Sequence, residues 1–242
     1  MKAIDKPFSI HADGLADQLP FKVDTKIENP KAMMDGSPSV VSIKLDTDQI
    51  KTNLDGNLAL GDKPQFDFKF DGEVPSIVAL ADAFQVKDLP ARGVLGKLKA
   101  SGQALGDPSD ITLKLASARH ESPLLNADLK GEARLAEFIT LQLEATAEAP
   151  KLADLAKAMN IEAPAGAALG KATATTKVSG KLGDLQFSDV SFNHESGLLK
   201  IAFTGSARLR NELTYDGHLQ INAPDLRQLA SAAGATLPGG DV

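Results

Sequence analysis

"HESPLLNADLKGEARL", residues 120–135, and "HESGLLKIAFTGSARL", residues 194–209, decide how this chain is read. At an offset of 74 they share the His-Glu-Ser opening, the Leu pair at 124–125 and 198–199, Gly131 with Gly205, and the closing Ala-Arg-Leu. Inside each stretch apolar and polar residues alternate. A period of two is the signature of a strand with one dry and one wet face. The stretch is thus a β-strand that has been duplicated, and the duplication has to be understood before any site is sought.

The offset recurs along the chain. Pro75, Pro150 and Pro224 lie 75 and 74 residues apart, and Pro90, Pro164 and Pro238 lie 74 and 74 apart. "GKLKA" at Gly96 answers "GKATA" at Gly170. An earlier partial copy, "IKTNLDGNLAL" at Ile50, places Gly56 75 residues before Gly131. The units run over approximately 1–72 (partial), 73–147, 148–221 and 222–242 (truncated), within one elongated repeat domain, 1–242. The last breaks off at "LPGGDV", so the chain is expected to be a fragment of a longer repetitive protein.

Each unit opens with a short amphipathic helix. Ile77, Leu80, Ala81 and Phe84, then Leu152, Leu155, Ala156 and Met159, then Leu226, Leu229, Ala230 and Ala233 all follow i, i+3, i+4, i+7. Proline at the first turn fits a helix start. Asn160 and Gly234 fit left-handed stops. The expected helices lie near 75–85, 150–160 and 224–233.

Most of the rest alternates. Phe66, Phe68 and Phe70 share a face, as do Ile111, Leu113 and Leu115; Leu129 shares one with Gly131, and Leu199, Ile201 and Phe203 with Gly205. "GDPSD" at Gly106 and "LGD" at Leu182 read as hairpin turns. About four strands and one helix per unit are expected, in an antiparallel sheet. Gly56, Gly131 and Gly205 recur on the apolar side. Either each lets its strand fold over, giving a U-shaped cross-section, or each marks a bulge kept in a duplicated unit.

Composition limits the function. Apolar residues make up 43%, with ten Phe, one Tyr and no Trp. The net charge of −6 and the absence of a basic cluster disfavour nucleic acid. With no cysteine, disulfides, thiolate catalysis and Cys-ligated zinc are excluded. There is no run of about 20 apolar residues to span a membrane, and "MKAIDKPFSIH" lacks the apolar segment of a signal peptide. Of the four His, His120 and His194 are equivalent positions a whole unit apart, and His11 and His218 lie on wet faces. Phosphate loops and nucleophile elbows are absent. Nothing points to an enzyme, a metal or a cofactor.

Three phrases carry a resemblance: "ENPKAMMDGSPSVVSIKLDTDQIKTNLDGNLAL" (28–60), "APDLRQLASAAGATLPGG" (223–240) and "KVSGKLGDLQFSDVSF" (177–192), the last with Gly180, Leu182, Phe187 and Phe192 in a recurrent spacing. On them the chain resembles the AsmA-like family of bacterial envelope proteins. The resemblance implies a mainly β, elongated, strongly curved antiparallel trough, apolar inside. It implies a periplasmic protein of outer-membrane biogenesis that handles phospholipid or another acyl-chain lipid. It also implies membrane association through an N-terminal anchor helix that this sequence lacks, and contact with neighbouring segments of the full-length chain.

The residues leave two arrangements open. A dozen one-faced strands make a large apolar surface that three short helices do not cover. Either the sheet closes on itself as a structural module with a filled core, or it leaves a groove for an acyl chain. Small residues on the dry face (Gly96, Ala100, Gly102, Ala104, Ala127, Ala172, Ala174) suit both. For the groove, the candidate lining is Phe68, Leu113, Leu129, Gly131, Leu141, Leu143, Ile201, Phe203, Gly205 and Tyr215.

Overall fold

The computed structural model describes residues 6–16, 19–86, 91–161, 169–232 and 234. Its dominant feature is one sheet of thirteen strands in sequence order, each antiparallel to the next, with the first and last strands unpaired to one another. The sheet is therefore not closed into a barrel.

The chain begins with a hairpin, β1 (Phe8–Ala16) and β2 (Leu19–Ile27), followed by helix α1 (Pro30–Met34). Three strands follow: β3 (Ser39–Thr47), β4 (Lys51–Ala59) and β5 (Gln65–Val74). Helix α2 (Ile77–Ala83) and a 3-10 turn (Arg92–Val94) lead to β6 (Lys97–Asp107), β7 (Asp110–Glu121), β8 (Asn126–Leu135) and β9 (Ile139–Ala149). Helix α3 (Leu152–Ala158) leads to β10 (Lys171–Lys181), β11 (Asp184–Glu195), β12 (Lys200–Leu209) and β13 (Leu213–Asn222), and α4 (Leu226–Ala232) follows.

The three expected helices form, each about two residues shorter at its ends than the apolar spacing suggested; Ala233, expected in the last, lies outside the described residues. Gln85 (φ 56), Asn160 (φ 56) and Gly234 (φ 72) end them in left-handed conformation. After α3 the Ile161 N–H donates to the Ala156 carbonyl at 2.8 Å, which satisfies an otherwise orphaned helix acceptor. At the other end of α2 and of α3 the glycine just before the following strand supplies a bond. The Ile77 N–H donates to the Gly96 carbonyl at 2.9 Å, and the Leu152 N–H to the Gly170 carbonyl at 2.8 Å.

Helix α1 was not anticipated. Asn29 caps it, its side-chain oxygen accepting from the Ala32 N–H at 3.0 Å, and Pro30 opens the first turn. Met33 is buried, as are Val41 and Ala59 on the strands it packs against. Strand parity sets its position. Four strands separate α2 from α3, and four separate α3 from α4, so an even number of reversals brings these helices to the same end of the sheet. Three strands separate α1 from α2, which puts α1 at the opposite end.

Alternation along the strands is as read. In β8 Leu129 and Gly131 are half-buried while Asp128, Lys130 and Glu132 are exposed; β4 and β5 repeat the pattern. Cross-strand ion pairs lace the polar face: Lys130–Glu144 at 2.8 Å, Lys171–Glu148 at 2.9 Å and Lys177–Asp189 at 2.8 Å. Exposed pairs of this kind fix register more than they stabilise.

Two strands break the alternation. β7 carries one extra residue between Leu115 and Ala118, opposite Gly131 and Leu129 of β8. β11 carries one between Phe187 and Val190, opposite Ala207 and Gly205 of β12. Such bulges raise local twist. Gly131 and Gly205 thus face a bulge in the neighbouring strand and are not themselves the extra residue, whereas Gly56 pairs in unbroken register with Val41 and Phe68. A Cβ on Gly131 would stand 2.2 Å from the Gln142 carbonyl oxygen, and one on Gly205 2.2 Å from that of Asp216. Each glycine is fixed by the close approach of the next strand.

Candidate functional site

Register brings the apolar residues into ladders that cross the sheet. One runs Phe68–Ala104–Leu113–Ala133–Leu141–Gly180–Leu185. The next runs Phe70–Gly102–Leu115–Gly131–Leu143–Val178–Phe187–Ala207–Tyr215. A third runs Leu98–His120–Ala127–Ala147–Ala174–Phe192–Phe203–Leu219. Leu129 lies between the second and third, paired with Ala118 and Ala145. Gly205 pairs with Val190 and Gly217, and Ile201 with His194 and Ile221. All ten candidate residues therefore lie on one face, spread from β5 to β13. They form an extended surface and do not converge on a point.

Among the described residues no second layer covers the face. The buried apolar residues are Met33, Val41, Val94 and the alanines 59, 81, 118, 133, 149, 156 and 172. Phe68, Leu113, Leu129, Leu141, Leu143, Ile201 and Phe203 are only half-buried, and Tyr215 is 75% exposed. A sandwich core would bury such side chains. The molecule exposes 15864 Å² for its 25.4 kDa, where a compact monomer of that mass exposes about 10,000 Å².

A hollow of about 580 Å³ opens over β7 to β11. It takes in Gly131 and Leu143 of the ten, together with Leu115 and Val178 from the same face. Its wall also includes Lys130, Gln142, Glu144 and Lys177 of the polar face, so it is not an enclosed apolar pocket. Glu144 is held below the usual carboxylate range by its hydrogen bond to Lys130 and that cation's charge.

The two equivalent histidines do structural work. The Gly96 N–H donates to His120 Nε2 at 3.0 Å, and the Gly170 N–H to His194 Nε2 at 2.8 Å. Each ring thus holds the glycine whose carbonyl accepts from the first turn of α2 or α3. An accepting Nε2 puts the proton of a neutral ring on Nδ1. His194 is 2% exposed and its Nδ1 has no partner. Burial pushes its pKa below the ordinary value. The sequence marked both positions as equivalent but gave no sign of the bond each makes.

His11 lies against Asp24 on the exposed polar face, and that hydrogen bond raises its pKa. Among the described residues no group of three or more His, Asp or Glu is placed to hold a metal ion. No described helix is long and apolar enough to cross a membrane. No family model, no curated protein and no solved structure matches this chain.

Proposed function

We propose that this chain is a non-enzymatic segment of a bacterial envelope protein of the AsmA-like type, in which the apolar face of a curved repeat sheet carries the acyl chains of phospholipid. The observation that carries the reading is the uncovered face: eight or more strands present half-buried Leu, Ile, Val and Phe, interspersed with Ala and Gly, with no layer above them among the described residues. Each methylene of an acyl chain laid there gains about 0.8 kcal/mol from leaving water. From β6 to β13 the third ladder takes seven strand spacings, roughly 34 Å at about 4.8 Å each, comparable to the ~30 Å of a bilayer's hydrocarbon core. The opposite face is tied together by charge pairs and stays wet.

Two further features support the repeat and the trough. The Asp110–Arg134 ion pair (2.5 Å) and the Asp184–Arg208 pair (2.7 Å) stand 74 positions apart, as do the two histidine–glycine bonds. The bulges of β7 and β11 lie beside Gly131 and Gly205, where extra twist would curl the sheet. The competing reading, a scaffold module with a closed core, requires a filled interior that the small set of buried residues does not provide.

Photo-crosslinking tests the assignment. A benzophenone amino acid at Leu143 or Phe203 should capture phospholipid from cell envelopes, and the same group at Glu144 or Thr204 should not. Equal labelling at both pairs would remove the distinction between the faces.

A further inference from the structure

The ladder that holds Phe68 does not begin there. Register carries it back through Gly56 of β4 to Val41 of β3 and Ile27 of β2. Along this one row the surroundings change. Phe68, Leu113 and Leu141 are half-buried, whereas Val41 is 2% exposed. Successive strand residues point to opposite faces, so the neighbours of Val41 show which face is covered. Val40, on the polar face, is 54% exposed, and Ser39, on the apolar face, is 3% exposed. The cover therefore lies on the apolar side at the start of β3, and α1 is the element packed against that strand.

Hydrogen bonds fix α1 there. The Asn29 N–H donates to Ser39 Oγ at 2.9 Å, the Ala32 N–H to the Asn29 side chain at 3.0 Å, and the Leu60 N–H to the Met33 carbonyl at 2.8 Å. Gly36 and Gly61 bring the turn after the helix onto the turn after β4; a Cβ on Gly61 would stand 2.8 Å from the Gly36 Cα. Closing this hairpin does not require a helix. The register that pairs Ile27 with Val41 sets Asn29 opposite Ser39, and a two-residue Asn-Gly turn would join them. The chain instead places residues 30–38 there and buries Met33. Methionine is an unbranched, flexible apolar chain that fills irregular gaps, and in that respect it matches a short stretch of acyl chain.

We propose that α1 is a built-in stop on the lipid path. This rests on the acyl-chain reading above. Met33 takes, on the row of Val41, the place that an acyl chain takes from β5 onward, so lipid lying on this row halts before β3. The row of Phe70 continues beside the helix through Leu54 and Ile43, both half-buried. The open apolar face thus narrows at β3.

The test uses the whole chain, loaded with a phosphatidylethanolamine that carries a diazirine near the end of one acyl chain. Fragmentation mass spectrometry reads the adduct sites. In the parent, adducts should form at Phe68 and be missing at Val41. Two variants should bring them to Val41. One replaces Pro30–Pro38 by Asn-Gly, which closes the hairpin in the same register. The other, Met33→Ala, shortens the side chain and keeps the helix, so the comparison stands even where the first variant fails to fold; circular dichroism checks both. Adducts at Val41 of the parent as frequent as at Phe68, or a folded Met33→Ala protein with no gain at Val41, would overturn the stop and leave the acyl-chain reading in place. Adducts at neither Phe68 nor Leu143 would overturn that reading and the stop with it.

Discussion

Four glycine substitutions separate two effects that Gly131 combines. Gly131 has φ +130, which an L side chain rarely adopts, and its missing Cβ would stand 2.2 Å from the Gln142 oxygen and 2.9 Å from the Leu143 Cα. Gly205 has the contact, 2.2 Å from the Asp216 oxygen, without the unusual φ. Gly183 has φ +94 with nothing near, and Gly197 has neither. Backbone strain costs about 1–3 kcal/mol, and overpacking costs about the same. Gly131→Ala should therefore lose about 3 kcal/mol and Gly205→Ala and Gly183→Ala about half that, while Gly197→Ala should be neutral. A chain of this size loses about 2–4 °C of melting temperature per kcal/mol, which gives about 6–12 °C for Gly131→Ala. Thermal melts followed by circular dichroism read the series directly. A Gly131→Ala protein as stable as Gly197→Ala would refute the close strand approach. The contact lies with backbone, so larger residues at these sites act first on stability, and lipid capacity changes with the sheet.

Three further outcomes follow from the same geometry. Phe203→Asp puts a carboxylate on the half-buried apolar ladder beside Phe192 and Leu219 and should reduce solubility or bound lipid; unchanged solubility and lipid content would count against the assigned face. His194 has its folded pKa depressed by burial, so the unfolded chain binds the extra proton first. Its contribution is present above the unfolded value of about 6.5 and is lost as pH falls through the folded value; melts between pH 7.5 and 5 should show a decline that His194→Gln flattens. Arg134→Ala and Arg208→Ala remove exposed ion pairs and should leave the melting temperature unchanged within error, while a large drop would mean that these pairs hold the hairpins.

What the sequence disclosed followed from periodicity. The strands of β8 and β12 and the helices α2, α3 and α4 each repeat a simple spacing, and each lies where that spacing put it. Helix α1 was missed because Pro30 falls outside the 74-residue offset that links Pro75, Pro150 and Pro224, and because five residues give no helical period. Its Asn29-Pro30 start was nonetheless a readable cap. The bulges were also readable in principle. In β7 the dry-face positions step from the odd numbers 111, 113 and 115 to Ala118 and His120, and in β11 from 185 and 187 to 190, 192 and His194. Such a parity switch is the trace of one inserted residue. The role of the histidines was not readable, because the backbone N–H each ring accepts from lies 24 residues earlier and is brought near only by strand pairing.

In the proposed function the open apolar face holds acyl chains. Organic extraction and native mass spectrometry of the purified chain, prepared without detergent, test it most directly. Phospholipid bound at a reproducible ratio, and lost in Phe203→Asp, is the result this account predicts. A folded, soluble parent chain that carries no lipid and takes up none from vesicles would contradict it.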